Sequence, residues 1–519
     1  MNKKYFRPEW TCGRYNREHR VALYYNLIEG KSYLFEDDSA DVVGEVLSVP
    51  RNGCFSLESL SEKTNTAVES LAPFLDVLAE HSLITDHMVT KDGISAYRKD
   101  VAKFKCTQAQ TVVKTTKDKL PMDVSSAEMD YTEKVGGITS VMFELTYDCS
   151  ERCIHCYNIG ATRNDSEQSY RRDRKELTLN DYRSIIDQLY EQGLVKVCLS
   201  GGDPFQKNIA WDIIEYLYNK GIAFDVYTNG LRLAGKTNRL ANYYPRVVGV
   251  SIYSGCAAEH DGITRIPGSW ERSMNVVREL SALAVPMNLK CCVMRPNVKH
   301  YFEVADIARQ YGAVAQFEVS INDSIDGDRC ASHHLRLPPE IMEIVLRDDN
   351  IPLYVGKEAP NYGGQPRLIE NNACGAGQNS FCITPEGNLI PCCAFHASFG
   401  NLRQMTIKEI VNNSEDLRTW QSLTLAKYKE CGRHDYCDYC NLCPGNNFTE
   451  HGNPTLAAEN NCYMAKIRHG LAMKMMKGYD PLQGKTLKER LSELADYEKE
   501  TLMREYSHDY SDKSLMVGG

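Results

Sequence analysis

The stretch SVMFELTYDCSERCIHCYN (Ser140–Asn158) decides how this chain is read. It opens with a strand-like run, residues 140–147, and passes at once into Cys149, Cys153 and Cys156, spaced C-x3-C-x2-C. Five further strand candidates follow at 195–200, 223–228, 246–253, 287–294 and 313–320. Helical patterns separate them, among them LNDYRSIIDQLYEQG, NIAWDIIEYLYNKG, a weaker one near 236–243, SWERSMNVVRELSALA and KHYFEVADIARQYG. Six strand–helix units in series predict a parallel sheet with right-handed crossovers, an α/β fold of the partial (β/α)6, TIM-type barrel kind over 137–335. In such a sheet the chemistry sits on loops at the C-terminal strand ends, where the three cysteines fall. Four thiolates saturate a cubane iron–sulfur cluster, and three leave one iron free to chelate something else. Zinc, with His155 as fourth ligand, is the bland alternative, although that histidine lies between two ligands.

These residues resemble the radical S-adenosylmethionine (SAM) superfamily. The resemblance implies a [4Fe–4S] cluster on Cys149, Cys153 and Cys156 and a SAM molecule on its open iron. An injected electron then cleaves SAM to methionine and a 5′-deoxyadenosyl radical, which abstracts a substrate hydrogen. It also implies SAM contacts residue by residue. Tyr157 matches an aromatic near the adenine. LSGGDP supplies Gly201, Gly202, Asp203 and Pro204, with Asp203 where Glu is commoner. Thr228, Asn229 and Ser251 end the third and fourth strands, and Arg265 is placed to reach the SAM carboxylate. Asp203, Asp261 and Glu318 are candidate general bases by position, with none assignable.

The chain holds 20 cysteines, nine of them between Cys374 and Cys462. Cys12, Cys54, Cys106, Cys198, Cys256, Cys291, Cys292 and Cys330 are scattered and read as small buried hydrophobes. CGAGQNSFCITPEGNLIPCC (Cys374–Cys393) and CGRHDYCDYCNLCPG, followed by Cys462, resemble the SPASM extension of the same superfamily, which binds two auxiliary [4Fe–4S] clusters. By that family's interleaved order the first would use Cys374, Cys392 and Cys443, with Cys382 as a possible fourth. The second would use Cys431, Cys437, Cys440 and Cys462. Where the family's pattern expects the second ligand of the four-cysteine run this chain has His434, so either the neighbouring Cys437 or His434 completes the set. Cys393 reads as a spectator. A first auxiliary cluster left open by Cys382 would favour thiol substrates.

Residues 1–90 read as a separate domain. VALYYNLIEGKSYLFEDD (Val21–Asp38) is a hairpin pattern. Ala40–Val49 is helical, Ser56 is a helix N-cap, and AVESLAPFLDVLAEHSLIT is a third helix whose Pro73 must sit in the first turn or kink it. That order is winged-helix-like. Nine Lys and Arg face 14 Asp and Glu in this segment, so no basic surface is available for nucleic acid. The segment resembles the RiPP precursor recognition element, a relative of the small chaperone of pyrroloquinoline quinone biosynthesis. That resemblance implies a leader peptide bound as an added strand. Residues 91–136 are a linker with some local structure, 336–370 a connecting segment, 371–465 the cysteine-rich extension and 466–519 a helical tail, with Leu487, Leu491 and Leu494 on one packed helix.

The balance of the chain excludes other classes. Net charge is −9 with 42% hydrophobic and 25% charged residues, which speaks against wholesale disorder and against a polyanion-wrapping surface. No run of about 18 apolar residues appears, and the N-terminal residues lack an apolar secretory core, so the expectation is a cytoplasmic protein with no membrane partner. The combined expectation is an oxidoreductase that modifies a ribosomally made precursor peptide, by a thioether, carbon–carbon or ether crosslink, with flavodoxin or ferredoxin as electron donor. The alternatives are a protein side-chain oxidase of the sulfatase-maturating type and, in another class, a non-enzymatic iron–sulfur regulator that binds DNA.

Overall fold

The computed structural model describes residues 3–112, 126–158, 175–325, 330–352, 355, 370 and 372–494. Near the N-terminus β1 (Lys4–Phe6) pairs antiparallel with β5 (Cys54–Ser56). A second, antiparallel sheet has the order β2 (Thr11–Asn16), β3 (Val21–Asn26), β4 (Lys31–Glu36). Three helices follow in the same region: α1 (Asp37–Ser48), α2 (Leu57–Thr64) and α3 (Val68–Glu80). The expected hairpin is β3–β4, and the Ser56 side chain caps α2 by accepting from the Ser59 amide. Pro73 falls in the second turn of α3, beyond the first turn where an absent amide proton costs nothing.

Every residue of β3 is buried because both faces of its sheet are covered. Ala22 and Tyr24 pack with Val43, Val46, Leu71, Leu75 and Leu78 of the helices. Val21, Leu23 and Tyr25 pack instead with Tyr131 and with Val195 and Ala223 of the next unit. The 91–136 segment contributes α4 (Lys91–Val112) and α5 (Ser126–Val135) to that contact. Three arginine–tyrosine stacks clamp it. Arg14 lies 4.1 Å from the Tyr190 ring centroid, Arg51 3.8 Å from Tyr218 and Arg98 4.8 Å from Tyr244.

The six predicted barrel strands are present as β6 (Ser140–Glu144), β7 (Lys196–Ser200), β8 (Ala223–Thr228), β9 (Val247–Ser251), β10 (Met287–Cys292) and β11 (Val314–Glu318). They pair in parallel, in sequence order. Val141, Phe143, Val197, Leu199, Phe224 and Val226 join helix residues such as Tyr182, Ile186 and Ile214 in one core. By the two-residue period, Glu144, Cys198, Asp225, Tyr227, Lys290, Cys292 and Glu318 share the opposite face, which lines the barrel. Lys290 Nζ, 3.7 Å from the Tyr227 ring centroid, confirms that they meet there.

At the strand-start end a buried ionic group ties α5 to the barrel. Arg246 holds Asp225 through both carboxylate oxygens and lies 3.5 Å from Glu128, which Lys196 contacts at 2.7 Å. The sheet continues past the barrel. β12 (Ser380–Ile383) adds in parallel to β6, and β13 (Asn388–Ile390) and β14 (Gly400–Asn401) follow antiparallel, giving nine strands among the described residues.

Beyond this, helix Pro339–Val345 of the connecting segment packs in the barrel core. Helix Glu459–Met476 runs across residue 465, where a boundary was expected. Leu491 is fully buried in helix Leu487–Ser492, with Leu487 and Leu494 partly buried beside it, and the expected continuation of that helix lies outside the described residues. Of the scattered cysteines, Cys12, Cys198 and Cys291 are buried as expected. Cys54 is exposed, contrary to expectation, because it lies in a two-stranded ribbon at the surface. The side chains of Cys106 and Cys330 lie outside the described set. Among the described residues no helix is long and apolar enough to cross a membrane.

Candidate active site and iron–sulfur ligands

The loop after β6 is built by close backbone approach. An added Cβ on Gly201 would stand 2.2 Å from the Thr146 carbonyl oxygen, and one on Gly202 2.3 Å from that of Asp148. Gly201 also has φ +123°, a conformation open mainly to glycine. The backbone amides of Gly202 and Asp203 donate to the Thr146 and Asp148 carbonyls at 2.7 and 3.0 Å. The GGD turn therefore fixes the residues that lead into Cys149. On the far side, the Arg152 and Ile154 amides donate to Thr264 and Ile263 at 3.0 Å, so the end of helix Ala257–Thr264 pins the same loop.

Cys149, Cys153 and Cys156 gather in this pocket. Cys149 Sγ accepts from the Glu151 amide at 3.4 Å and from Asn229 Nδ2 at 3.3 Å. Cys153 Sγ donates to Glu151 Oε2 at 3.4 Å. Burial pushes the Cys149 and Cys153 thiols well up, and the groups that next act on Cys153 are Glu151, Cys149 and Cys156, all of which push the same way. Burial also raises the Glu151 carboxyl to about 8. The chemistry of the donor set, three cysteine thiols on one short loop with Cys153 buried and Cys149 and Cys156 half-buried, fits an iron–sulfur cluster. Buried polar atoms with no partner, His155 Nδ1, His260 Nε2 and Glu151 Oε1, ring the pocket and suit a polar ligand. Burial lowers both histidines to about 4, so both rings are neutral near pH 7.

The expected SAM-contacting residues divide by geometry. Asp203 is fully buried and turns inward. Its Oδ2 accepts from the Thr228 hydroxyl at 2.6 Å and the Asn229 amide at 3.1 Å, and its Oδ1 from the Phe205 amide at 2.9 Å. Thr228 and Asp203 thus scaffold one another. Asn229 reaches Cys149 and Ser150 from the same turn. Pro204 starts a 3-10 turn that Asp203 caps. Ser251 ends β9 on the lumen face and bonds to Tyr253, whose hydroxyl lies 4.0 Å from Cys153 Sγ. Arg265 is half-buried at the end of helix Ala257–Thr264 with φ +57°, next to the residues that hold the loop. Tyr157 sends its hydroxyl to Cys393, into the cysteine-rich region.

Asp261 is spent as a helix clamp, accepting from Gly268 N, Ser269 Oγ and Trp270 N at 2.6–3.0 Å. Burial works to raise it, but those donors hold it below the usual carboxylate range. Glu318 is the one member of the three candidate bases exposed at the barrel mouth, its Oε1 accepting from the Val319 and Ser320 amides. The sequence singled out His155 only as a possible zinc ligand, and it did not single out His260, Glu151 or Glu144.

The later cysteines form two groups. In the first, Cys392 is acted on by Cys393, Cys443 and Cys374. Each of its three members has a backbone amide aimed at the sulfur. Cys374 accepts from Ala376 N at 3.4 Å, Cys443 from Asn446 N at 3.4 Å, and Cys392 from Ala394 N. Cys382 lies in β12, fully buried, among Glu144, Cys393, Cys392 and Cys198. In the second group, Cys431, Cys437 and Cys462 surround Tyr436, and Cys440 Sγ approaches the Asn461 carbonyl at 4.0 Å. His434 is exposed and stacks on Tyr436, ring centroids 4.9 Å apart.

Comparison with known proteins accords with this geometry. Residues 143–312 match the Radical SAM superfamily model, and residues 374–444 match SPASM, an iron–sulfur cluster-binding domain. The chain is 24% identical over 316 residues to the antilisterial bacteriocin subtilosin biosynthesis protein AlbA of Bacillus subtilis, a match covering 58% of this chain and 66% of that protein. It is 27% identical over 317 residues to the mycofactocin maturase MftC of Mycobacterium tuberculosis, covering 57% and 76%. It is 25% identical over 340 residues to an AdoMet-dependent heme synthase of Methanosarcina barkeri, covering 59% and 90%. Among solved structures, Streptococcus suis SuiB bound to its precursor peptide SuiA superposes with a TM-score of 0.50 at 12% identity, covering 88% of this chain and 99% of that one. The domain matches set aside the non-enzymatic regulator. The chain is an enzyme carrying a radical SAM domain, which implies a [4Fe–4S] cluster and SAM, followed by a SPASM domain, which implies auxiliary iron–sulfur clusters.

Proposed function

We propose that this enzyme is a maturase of ribosomally made peptides: its N-terminal unit serves as the precursor recognition element and its barrel installs an oxidative crosslink in the core peptide. The observation that carries this reading is the groove beside β4. That strand pairs with β3 and, among the described residues, with no second strand. A cavity of about 370 Å³ lies along it, lined by Tyr33, Phe35, Val77, Leu78, His81 and Asp130. Val77 is 46% exposed there, an apolar contact available to a guest. The last strand of a sheet, set beside an aromatic face and a helix, is where a peptide can add as a strand, with main-chain hydrogen bonds for affinity and side-chain pockets for register. Relatives named for bacteriocin and mycofactocin maturation support a peptide substrate.

The bound cluster and SAM supply the hydrogen-abstracting radical. The chain's residues hold and orient: Cys149, Cys153 and Cys156 as ligands, the GGD turn and helix Ala257–Thr264 as the mould of their loop, and the polar barrel face as the substrate chamber. A small carrier such as flavodoxin or ferredoxin delivers the electron. The N-terminal unit packs at the strand-start end of the barrel, whereas the cysteine loop leaves the opposite end. At about 3.3 Å per residue, a five-residue strand is about 17 Å tall. A spacer of at least about five extended residues must therefore separate the leader segment from the first modified residue.

The test is anaerobic co-expression with short peptides encoded beside the gene, read by mass spectrometry as a loss of about two hydrogens per crosslink. Tyr33→Arg or Val77→Glu in the groove should cut modification of the full precursor and leave SAM cleavage without peptide intact. Equal modification of precursor and leaderless peptide would refute the recognition role and favour the side-chain oxidase.

A further inference from the structure

We infer that a peptide strand added to β4 is read on both faces, by α3 on one and by the linker helix α5 on the other, and that α5 selects a guest with a basic residue between two apolar ones. This rests on the precursor-groove reading proposed above and adds to it the side-chain pattern of the guest.

β4 has two unlike faces. Tyr33 and Phe35 belong to the core under α3, with the Phe35 and Phe74 rings edge to face at 5.9 Å and the Tyr33 and His81 rings 4.9 Å apart. Leu34 belongs to the other core, with Ala127 and Tyr131 of α5. The cavity reaches both sides: Val77 of α3 lines it, and so do Ser126, Ala127 and Asp130 of α5. α5 is held from behind. Tyr131 is fully buried, and Glu128 sits with Lys196 and Arg246 in the ionic group at the strand-start end of the barrel. The wall that α5 presents to the groove is therefore anchored in the barrel.

The register follows from one ion pair. Lys134 Nζ meets Glu36 at the end of β4. Asp130 lies one helical turn earlier on α5, about 6 Å back at about 1.5 Å per residue. Along a strand that distance is about two residues at about 3.3 Å each, which sets Asp130 beside Leu34. A further turn back, Ser126 falls beside Ser32. Asp130, Leu34, Ser126 and Ser32 all line the cavity, as this register requires.

Side chains directly opposite one another in a sheet share a face. A guest residue paired with Leu34 therefore points toward Asp130. The guest residues paired with Tyr33 and Phe35 point toward the apolar α3 side, where Val77 stands 46% exposed. A guest residue paired with Ser32 meets the small Ser126. Asp130 is exposed and, among the described residues, forms no ion pair, whereas Lys134 on the next turn is engaged by Glu36. Residues 1–90 carry nine Lys and Arg against 14 Asp and Glu, so the wider field also favours a cation. A core of apolar, Lys or Arg, apolar satisfies both walls, and an acidic middle residue is repelled by Asp130.

The test is fluorescence anisotropy with the full reconstituted chain and three synthetic nine-residue peptides, identical except at the middle of a Val-X-Val core, where X is Lys, Ala or Glu. At low salt the wild type should hold the Lys core about two- to fivefold tighter than the Ala core, the range of an exposed ion pair, and the Glu core more weakly than either. Salt at about 1 M should erase that preference. Asp130→Asn should bring the Lys and Ala cores level and leave the Ala core unchanged, and Asp130→Lys should favour the Glu core. Val77→Glu should weaken the Ala core. Equal affinities of the three cores for the wild type, or a Lys preference that survives in Asp130→Asn, would overturn the role of α5 while the effect of Val77→Glu upholds the groove. Binding of no core, or an Ala core unmoved by Val77→Glu, would overturn the groove itself and the pattern with it.

Discussion

Removing the Asp203 side chain should damage the scaffold before it damages the chemistry. In Asp203→Ala three donors lose their acceptor inside a site of zero exposure: the Thr228 hydroxyl and the Asn229 and Phe205 amides. A buried unsatisfied donor costs about 1–3 kcal/mol, and partial relaxation brings the sum to about 3–6 kcal/mol. At about 2–4 °C per kcal/mol for a unit of barrel size, the melting midpoint should fall by about 6–24 °C. Asp203→Asn keeps one oxygen for Thr228 and Asn229 but turns an amide NH2 toward the Phe205 N–H, so it should lose about a third to a half as much. Both variants loosen Asn229, whose Nδ2 reaches Cys149, and iron on the first loop should fall in the same order. The assay is differential scanning fluorimetry of the metal-free chain, with iron analysis after reconstitution. A melting midpoint for Asp203→Ala within 1 °C of wild type, together with abolished SAM cleavage, would refute the scaffold role and restore Asp203 as a group that touches SAM or substrate.

Other outcomes follow from the same geometry. Arg246→Met strands the buried Asp225 carboxylate and should cost about 3–5 kcal/mol, whereas Arg246→Met with Asp225→Asn should recover most of it, measured as melting midpoints. Cys153→Ala should abolish 5′-deoxyadenosine formation, while Cys440→Ala should spare SAM cleavage and lose peptide product, both read by liquid chromatography. Burial raises the Glu144 carboxyl from the ordinary 4.5 to about 7. The stability tied to its neutral form is complete below about 4.5 and is lost as pH rises through about 7, at a scale of about 3 kcal/mol. Between pH 5.5 and 8 the metal-free wild type should therefore lose melting temperature relative to Glu144→Gln; parallel curves would show that Glu144 does not titrate in this range.

The barrel was legible because its signals are local and repeated. Each buried parallel strand, such as VKVCLS or AFDVYT, is followed by an amphipathic helix of ordinary length, and the C-x3-C-x2-C loop marks which strand comes first. β2 was not legible. Its TCGRYN sequence shows no clean alternation, because Arg14 and Tyr15 find partners in Tyr190 and Asp41 far along the chain. Helix Ala257–Thr264 escaped for a similar reason: HDGIT carries polar residues that are buried against the cysteine loop, as Glu259 and His260 are. The spacing marked out the cysteine-rich segment that matches an iron–sulfur cluster-binding domain, but the role of Asp203 was not legible. An acid after two glycines looks available for chemistry, and only the folded turn shows that three donors have already claimed it. Nor could spacing place Cys382, since facing Glu144 depends on a strand that pairs across more than two hundred residues.

That pairing of β12 with β6 makes the cysteine-rich region part of the barrel's own hydrogen-bond ladder. Hydrogen exchange should find the two opening as one cooperative unit, since neither strand can leave without unzipping the other. Grafting that region onto a foreign barrel would mean rebuilding this seam residue by residue. A barrel cut off before Ser380 would carry a raw, unpaired flank along β6, ready to stick to the next molecule it meets.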